Sequence, residues 1–278
     1  MTSSSGRLLG LIVLATMLAG LAACSPGSEK VTQRSDEDAR QAPPHRKATA
    51  APEGATATGG ETAARTDFRA AWDYVALGDS LAVGVGARRG YVDRYAEHLR
   101  SDTGAQVRVV NLGRSGQTSS QLLYALRNDP SIRRALGGAE VVTFNIGIND
   151  LGHASSSYEN GTCGGVHNEE CLRAAVEEVE ENWDAIIEEI LSLRSTRETI
   201  IRSAGLGYSP RVDGVFEPYL NEVNSQIAAS ATENGIPHAE IHLGGEGMSS
   251  DGVHPNNRGY AVIASRLREL GYEPLGPG

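Results

Sequence analysis

Five residues whose side chains or backbone could together move an acyl group lie far apart in this 278-residue chain. A serine hydroxyl is a poor nucleophile until a base takes its proton, and the usual base is a histidine held in one tautomer by a carboxylate. Ser80, within Gly78-Asp79-Ser80-Leu81, supplies the hydroxyl, and His254 and Asp251, within Asp251-Gly252-Val253-His254-Pro255, supply the base and the acid. A tetrahedral intermediate also needs donors already aimed at its oxyanion, each worth about 3 to 4 kcal/mol of barrier. The Ser80 N–H, the Gly116 N–H and the Asn149 amide are the candidates, glycine being suited where a backbone N–H must come close to a substrate. Asp79 and Asp150 read as structural, bonding the turns that present their neighbours.

These residues need a scaffold that gathers them, and the pattern from residue 72 onward provides one. Short apolar or β-branched runs at 74–77, 107–112, 141–146, 199–202 and 238–241 predict five strands. Between them the spacing is helical, most clearly at Leu172, Val176, Val179, Trp183, Ile186, Ile187, Ile190 and Leu193, with glutamates on the other face. Further helices are expected over 91–100, 118–127, 216–234 and 256–270, the last stopped by Gly271. Alternation of this kind predicts an α/β domain, a parallel sheet covered on both faces. Ligands of such sheets sit beyond the carboxyl ends of the strands. Ser80, Gly116, Asn149 and the Asp251–His254 pair follow the first, second, third and fifth strands; the segment 152–168 reads as a loop.

With these blocks in this order, the chain resembles the SGNH hydrolases, also called the GDSL esterase/lipase family, over about residues 73–270. The family's nucleophile falls on Ser80, its oxyanion donors on Ser80, Gly116 and Asn149, and its acid and base on Asp251 and His254. Gly116 is chosen over Gly113 because the family glycine lies five residues after the asparagine closing the second strand, here Asn111. The resemblance implies a single-domain three-layer α/β/α sandwich, flavodoxin-like with a five-stranded parallel sheet, and ester hydrolysis through an acyl-serine without metal or other cofactor. It implies a small-molecule, lipid or glycan ester as substrate. A polysaccharide O-deacetylase using the same residues is the alternative within enzymes, and a ligand-binding surface lipoprotein that hydrolyses nothing is the alternative outside them.

Upstream, Arg7 precedes an apolar run from Leu8 to Ala23 that is short for a bilayer span. Its end, Leu21-Ala22-Ala23-Cys24, resembles a bacterial lipobox, since leucine fits poorly three residues before an ordinary signal peptidase cut. The expectation is therefore a lipoprotein signal over 1–23, lipidation at Cys24, a disordered tether over 24–71 and a hydrolase domain over 72–278. The tether, poor in large apolar residues, would reach roughly 35 to 40 Å from a membrane held by acyl chains. The location expected is extracytoplasmic, lipid-anchored to the bacterial cell membrane, with simple secretion as the alternative. In that oxidising compartment Cys163 and Cys171 make an even pair, and a local disulfide is the first reading. Together with His153 and His167 they fit no compact zinc spacing, so no metal site is expected.

Composition excludes other classes. The net charge is −10 and aromatic residues make up 5% of the chain, so it lacks the basic patch and the stacking rings that nucleic-acid binding needs. Lys30 and Lys47 are the only lysines, so the domain has none for a phosphate loop or a Schiff base. A Gly-x-Ser-x-Gly elbow is absent, which disfavours the α/β-hydrolase fold. His98, His153, His167, His238 and His242 are read as surface or packing residues.

Overall fold

The computed structural model describes residues 70–207 and 214–276. The expected signal, the lipidation site at Cys24 and all but the last residues of the tether lie outside the described residues.

Five parallel strands form one sheet: β1 (Ala71–Gly78), β2 (Gln106–Asn111), β3 (Val141–Asn145), β4 (Ile200–Ala204) and β5 (His238–Ala239), in the spatial order β2-β1-β3-β4-β5. The helices between them are α1 (Ser80–Val83), α2 (Tyr91–Thr103), α3 (Ser119–Asn128), α4 (Pro130–Gly137), α5 (Ile148–Glu159), α6 (Glu170–Leu193), α7 (Glu217–Glu233) and α8 (Asn257–Glu269). The two-residue period of a strand sorts the core into two halves. Along β1, Val75 and Leu77 pack with α3 to α7, whereas Tyr74 and Ala76 pack with α2 and α8. This is the three-layer α/β/α sandwich expected, with the flavodoxin-like strand order.

The strand order reverses between β1 and β3, so their carboxyl ends open a crevice at the topological switch point. The long helix α6 is where its apolar spacing predicts, with Leu172, Val176, Val179, Trp183, Ile186, Ile187 and Ile190 buried. Trp183 Nε1 donates to the Ile146 carbonyl at 2.9 Å, clamping α6 beneath the turn that leaves β3. Gly271 takes up the left-handed conformation just past α8, the conformation that ends helices.

Three local expectations need correction. Much of the segment read as a loop is α5, in which Leu151 and Ala154 are buried; its weak helix formers, Gly152 and Ser155 to Ser157, hide that spacing. The helix α4 was not foreseen; Asp129 caps it through Ser131 N and Pro130 opens it. β5 pairs over only two residues, because β4 ends at Ala204 and leaves the rest of the alternating run without a ladder partner.

Candidate active site

The nucleophile candidate is presented by a turn that only glycine can begin. Gly78 has φ +137°, and a Cβ there would lie 2.4 Å from the Asn145 carbonyl oxygen of the adjoining β3. The chain then reverses through Asp79, whose Oδ1 accepts from Leu81 N at 2.9 Å, and Ser80 opens the single-turn helix α1. Tyr260 of α8, in the same half of the core as Leu81 and Ala82, donates its hydroxyl to the Val85 carbonyl at 2.7 Å, tying the end of this turn to α8.

Asp251 and His254 form one local unit immediately before α8. Asp251 Oδ1 accepts from Ser249 Oγ at 2.6 Å and from the backbone N–H groups of Val253 and His254, both at 2.9 Å. Its other oxygen lies 2.8 Å from His254 Nδ1. These donors, led by the Ser249 hydroxyl, hold the Asp251 carboxyl well below the usual carboxylate range. The ring is thereby fixed with Nδ1 toward the acid, and Nε2 lies 2.9 Å from Ser80 Oγ. The structure thus brings the expected acid, base and hydroxyl into one hydrogen-bonded line, across 174 residues between Ser80 and His254.

The expected oxyanion donors gather beside it. Asn149 Nδ2 donates to the Gln117 carbonyl at 2.8 Å and, over a longer 3.4 Å, to Asp79 Oδ2. One amide therefore touches the residue after Gly116 and the residue before Ser80. Gly113 N–H is spent on Asn111 Oδ1 at 3.0 Å, whereas the N–H groups of Ser80 and Gly116 have no acceptor among the described residues. Gly116 has φ +77° with open space where a Cβ would stand, so backbone conformation rather than crowding demands glycine in the structure as it stands.

Asp150 and Asp79 do the structural work expected of them. Asp150 accepts from Ser119 N and from Ser119 Oγ, the latter at 2.7 Å, and Asn182 of α6 donates to the same hydroxyl at 2.8 Å. This cluster locks the start of α5 against the start of α3, which sets Asn149 against the 116–117 turn. Burial raises the Asp150 carboxyl and pushes Asp79 up to about 6. Ser119, Asn182, Asn145, Tyr91 and Tyr260 were not foreseen as supports. Tyr91 OH reaches Asn145 Oδ1 at 3.0 Å behind Gly78; nothing local in the sequence marks such a contact.

A cavity of about 340 Å³ opens from Ser80, Asn149 and His254 between α5 and α7. Its other walls are mainly apolar, including Ile148, Leu206, Phe216, Leu220, Leu243 and Met248. Beyond α5, Cys163 and Cys171 are joined by a disulfide that closes the 160–169 loop onto the start of α6. Of the other histidines, His238 is partly buried and bonds Ser203 Oγ at 2.9 Å; His153, His167 and His242 are exposed and His98 is half-buried.

Comparison with known proteins places the chain in a family. Residues 76–262 match the model of the GDSL-like Lipase/Acylhydrolase family. A spore germination lipase, LipC of Bacillus licheniformis, is 29% identical over 204 residues, covering 69% of this chain and 93% of that protein. Among solved structures, a lipase from a goat rumen metagenome has a TM-score of 0.65 at 28% identity, covering 72% of this chain and 98% of its own. An acetylxylan esterase of Geobacillus stearothermophilus has a TM-score of 0.56 at 20% identity, over 74% and 96% of the two chains, a likeness of fold.

Proposed function

Because the chain belongs to the GDSL-like lipase/acylhydrolase family and is a carboxylic ester hydrolase, we propose that it works through an acyl-serine on Ser80, outside the cytoplasmic membrane and anchored there through Cys24. The observation that carries the mechanism is the Asp251–His254–Ser80 line, with 2.8 and 2.9 Å between partners. Ser80 Oγ attacks the ester carbonyl carbon while His254 Nε2 takes its proton, and ionised Asp251 stabilises the imidazolium so formed. The carbonyl oxygen becomes an oxyanion facing the N–H groups of Ser80 and Gly116 and the Asn149 amide, whose long bond to Asp79 is the one that yields. The intermediate collapses as His254 returns the proton to the departing alkoxide. A water molecule, deprotonated by the same imidazole, then releases the acid and restores Ser80.

The extracytoplasmic reading rests on the Leu21-Ala22-Ala23-Cys24 sequence and on the composition of the stretch that follows. Fluorophosphonate labelling tests the mechanism. The intact chain takes the label and Ser80→Ala does not, with an unchanged circular dichroism spectrum; a labelled, folded Ser80→Ala protein would place the nucleophile elsewhere. In a bacterial host the chain partitions into the detergent phase of a Triton X-114 extract and Cys24→Ala into the aqueous phase; equal partitioning would remove the lipid anchor.

A further inference from the structure

One face of α5 forms a wall of the cavity: Ile148, Gly152, Ser155 and Glu159 all line it. At 100° per residue the spacings of four, three and four keep these positions in a single stripe along the helix. The stripe begins beside Asn149, passes over a residue with no side chain and a small hydroxyl, and ends on a carboxylate. Across from it stand Leu206, Phe216, Leu220 and Leu243. An apolar track thus starts at the reacting centre and ends where charge takes over.

Gly152 lies within the helix, without a left-handed φ, and a Cβ there would meet nothing within 4 Å among the described residues. Glycine is the poorest helix former after proline, so the local structure would favour almost any other residue. The structural effect of glycine here is to leave the track open.

We propose that this track holds the acyl chain of a medium-chain ester and that Gly152 determines how long a chain is accepted. From Ile148 to Ser155 the helix advances about 10 Å at 1.5 Å per residue. A zigzag of carbon–carbon bonds of about 1.5 Å gains roughly 1.3 Å per bond, so the part of the track up to Ser155, before its polar end, accommodates about eight carbons. The cavity volume, near the lower end of the range for small-molecule sites, suits one such chain. Longer chains pass the Ser155 hydroxyl toward the Glu159 carboxylate, where further methylenes exchange water for polar groups and gain nothing. The proposal rests on Ser80 as the nucleophile, because the track is measured from there.

The test compares kcat/KM on p-nitrophenyl acetate, butanoate, octanoate and dodecanoate, with fluorophosphonate titration of Ser80 counting active sites. Each buried methylene is worth about a fourfold gain. With part of the cavity open to water, octanoate should exceed acetate by about a hundredfold, and dodecanoate should not exceed octanoate. Gly152→Phe lowers the octanoate-to-acetate ratio at least tenfold, and Glu159→Leu raises the dodecanoate-to-octanoate ratio. A titratable Ser80 with acetate preferred would overturn the acyl track and leave ester hydrolysis standing. An unchanged ratio in a titratable Gly152→Phe protein would overturn the role of Gly152, with Gly152→Leu as the second variant should phenylalanine prevent folding. Failure of Ser80 to take the probe would overturn the proposal together with the nucleophile assignment beneath it.

Discussion

Asp251→Asn isolates the tautomer of His254 from the shape of its loop. Asp251 Oδ1 accepts three hydrogen bonds, from Ser249 Oγ, Val253 N and His254 N, while Oδ2 faces His254 Nδ1 at 2.8 Å. An asparagine has one acceptor oxygen and one donor nitrogen. An NH₂ facing the three loop donors would leave all of them unmatched, so the oxygen stays with the loop and the NH₂ turns to Nδ1. His254 must then carry its proton on Nε2, where it points at Ser80 Oγ and cannot accept the proton released on attack. In a buried triad the equivalent change lowers kcat by about 10⁴. Here the Asp251 side chain is 46% exposed, and water can partly restore the working tautomer. The expected loss is about 10³ in kcat, roughly 4 kcal/mol of barrier. The assay is hydrolysis of a p-nitrophenyl ester at saturating concentration, run beside the second-order rate of fluorophosphonate labelling, which should fall in parallel because it needs the same proton transfer. In the parent protein the Asp251 carboxyl is held well below the usual carboxylate range by its donors, so this carboxylate adds no limb of its own to the pH profile in the ordinary carboxylate range. A folded Asp251→Asn protein within tenfold of the parent kcat would refute the argument.

Two stability predictions follow from the same structure. Burial pushes the Asp79 carboxyl from 3.8 to about 6, so between those values the folded state holds a proton that the unfolded state has lost. This group's contribution is favourable at low pH and declines as pH rises toward 6. The stability of Asp79→Asn minus that of the parent should therefore climb between about pH 4 and 6, by about 1 to 3 kcal/mol, in urea unfolding at several pH values; a flat difference would show that Asp79 is not held in this way. The Cys163–Cys171 disulfide spans a separation of 8 residues, for which loop-closure entropy gives about 2.5 kcal/mol. The double Cys→Ser variant should lower Tm by about 5 to 10 °C in a scan of the purified protein; no change would mean the loop is held without the bond.

The candidate site was legible because its chemistry depends on residue type and its position on strand ends, and both can be read from a single chain. Ser80 and Asn149 follow buried apolar runs that can only be central strands, and Asp251 and His254 are close enough to form their own turn. The contacts that align these pieces were not legible. Ser119 and Asn182 look like ordinary polar residues of two amphipathic helices until α3 and α6 meet around Asp150. Tyr260 reads as packing, yet its hydroxyl ties α8 to the turn bearing Ser80. α5 was lost to its own composition, since the glycine and serines that open the cavity are also what conceal a helix. This division has a physical cause. The reacting groups must be of particular types, so they mark the sequence. Their supports need only place a donor or acceptor at a given point in space, and many residue types can do that from many positions. The Asp251–His254 unit arrives on the loop before α8, while Ser80 and Asn149 are set by neighbouring strands of one sheet. The alignment of base with nucleophile therefore depends on how α8 packs against the sheet and α2, and that packing acts on catalysis through residues with no chemistry of their own.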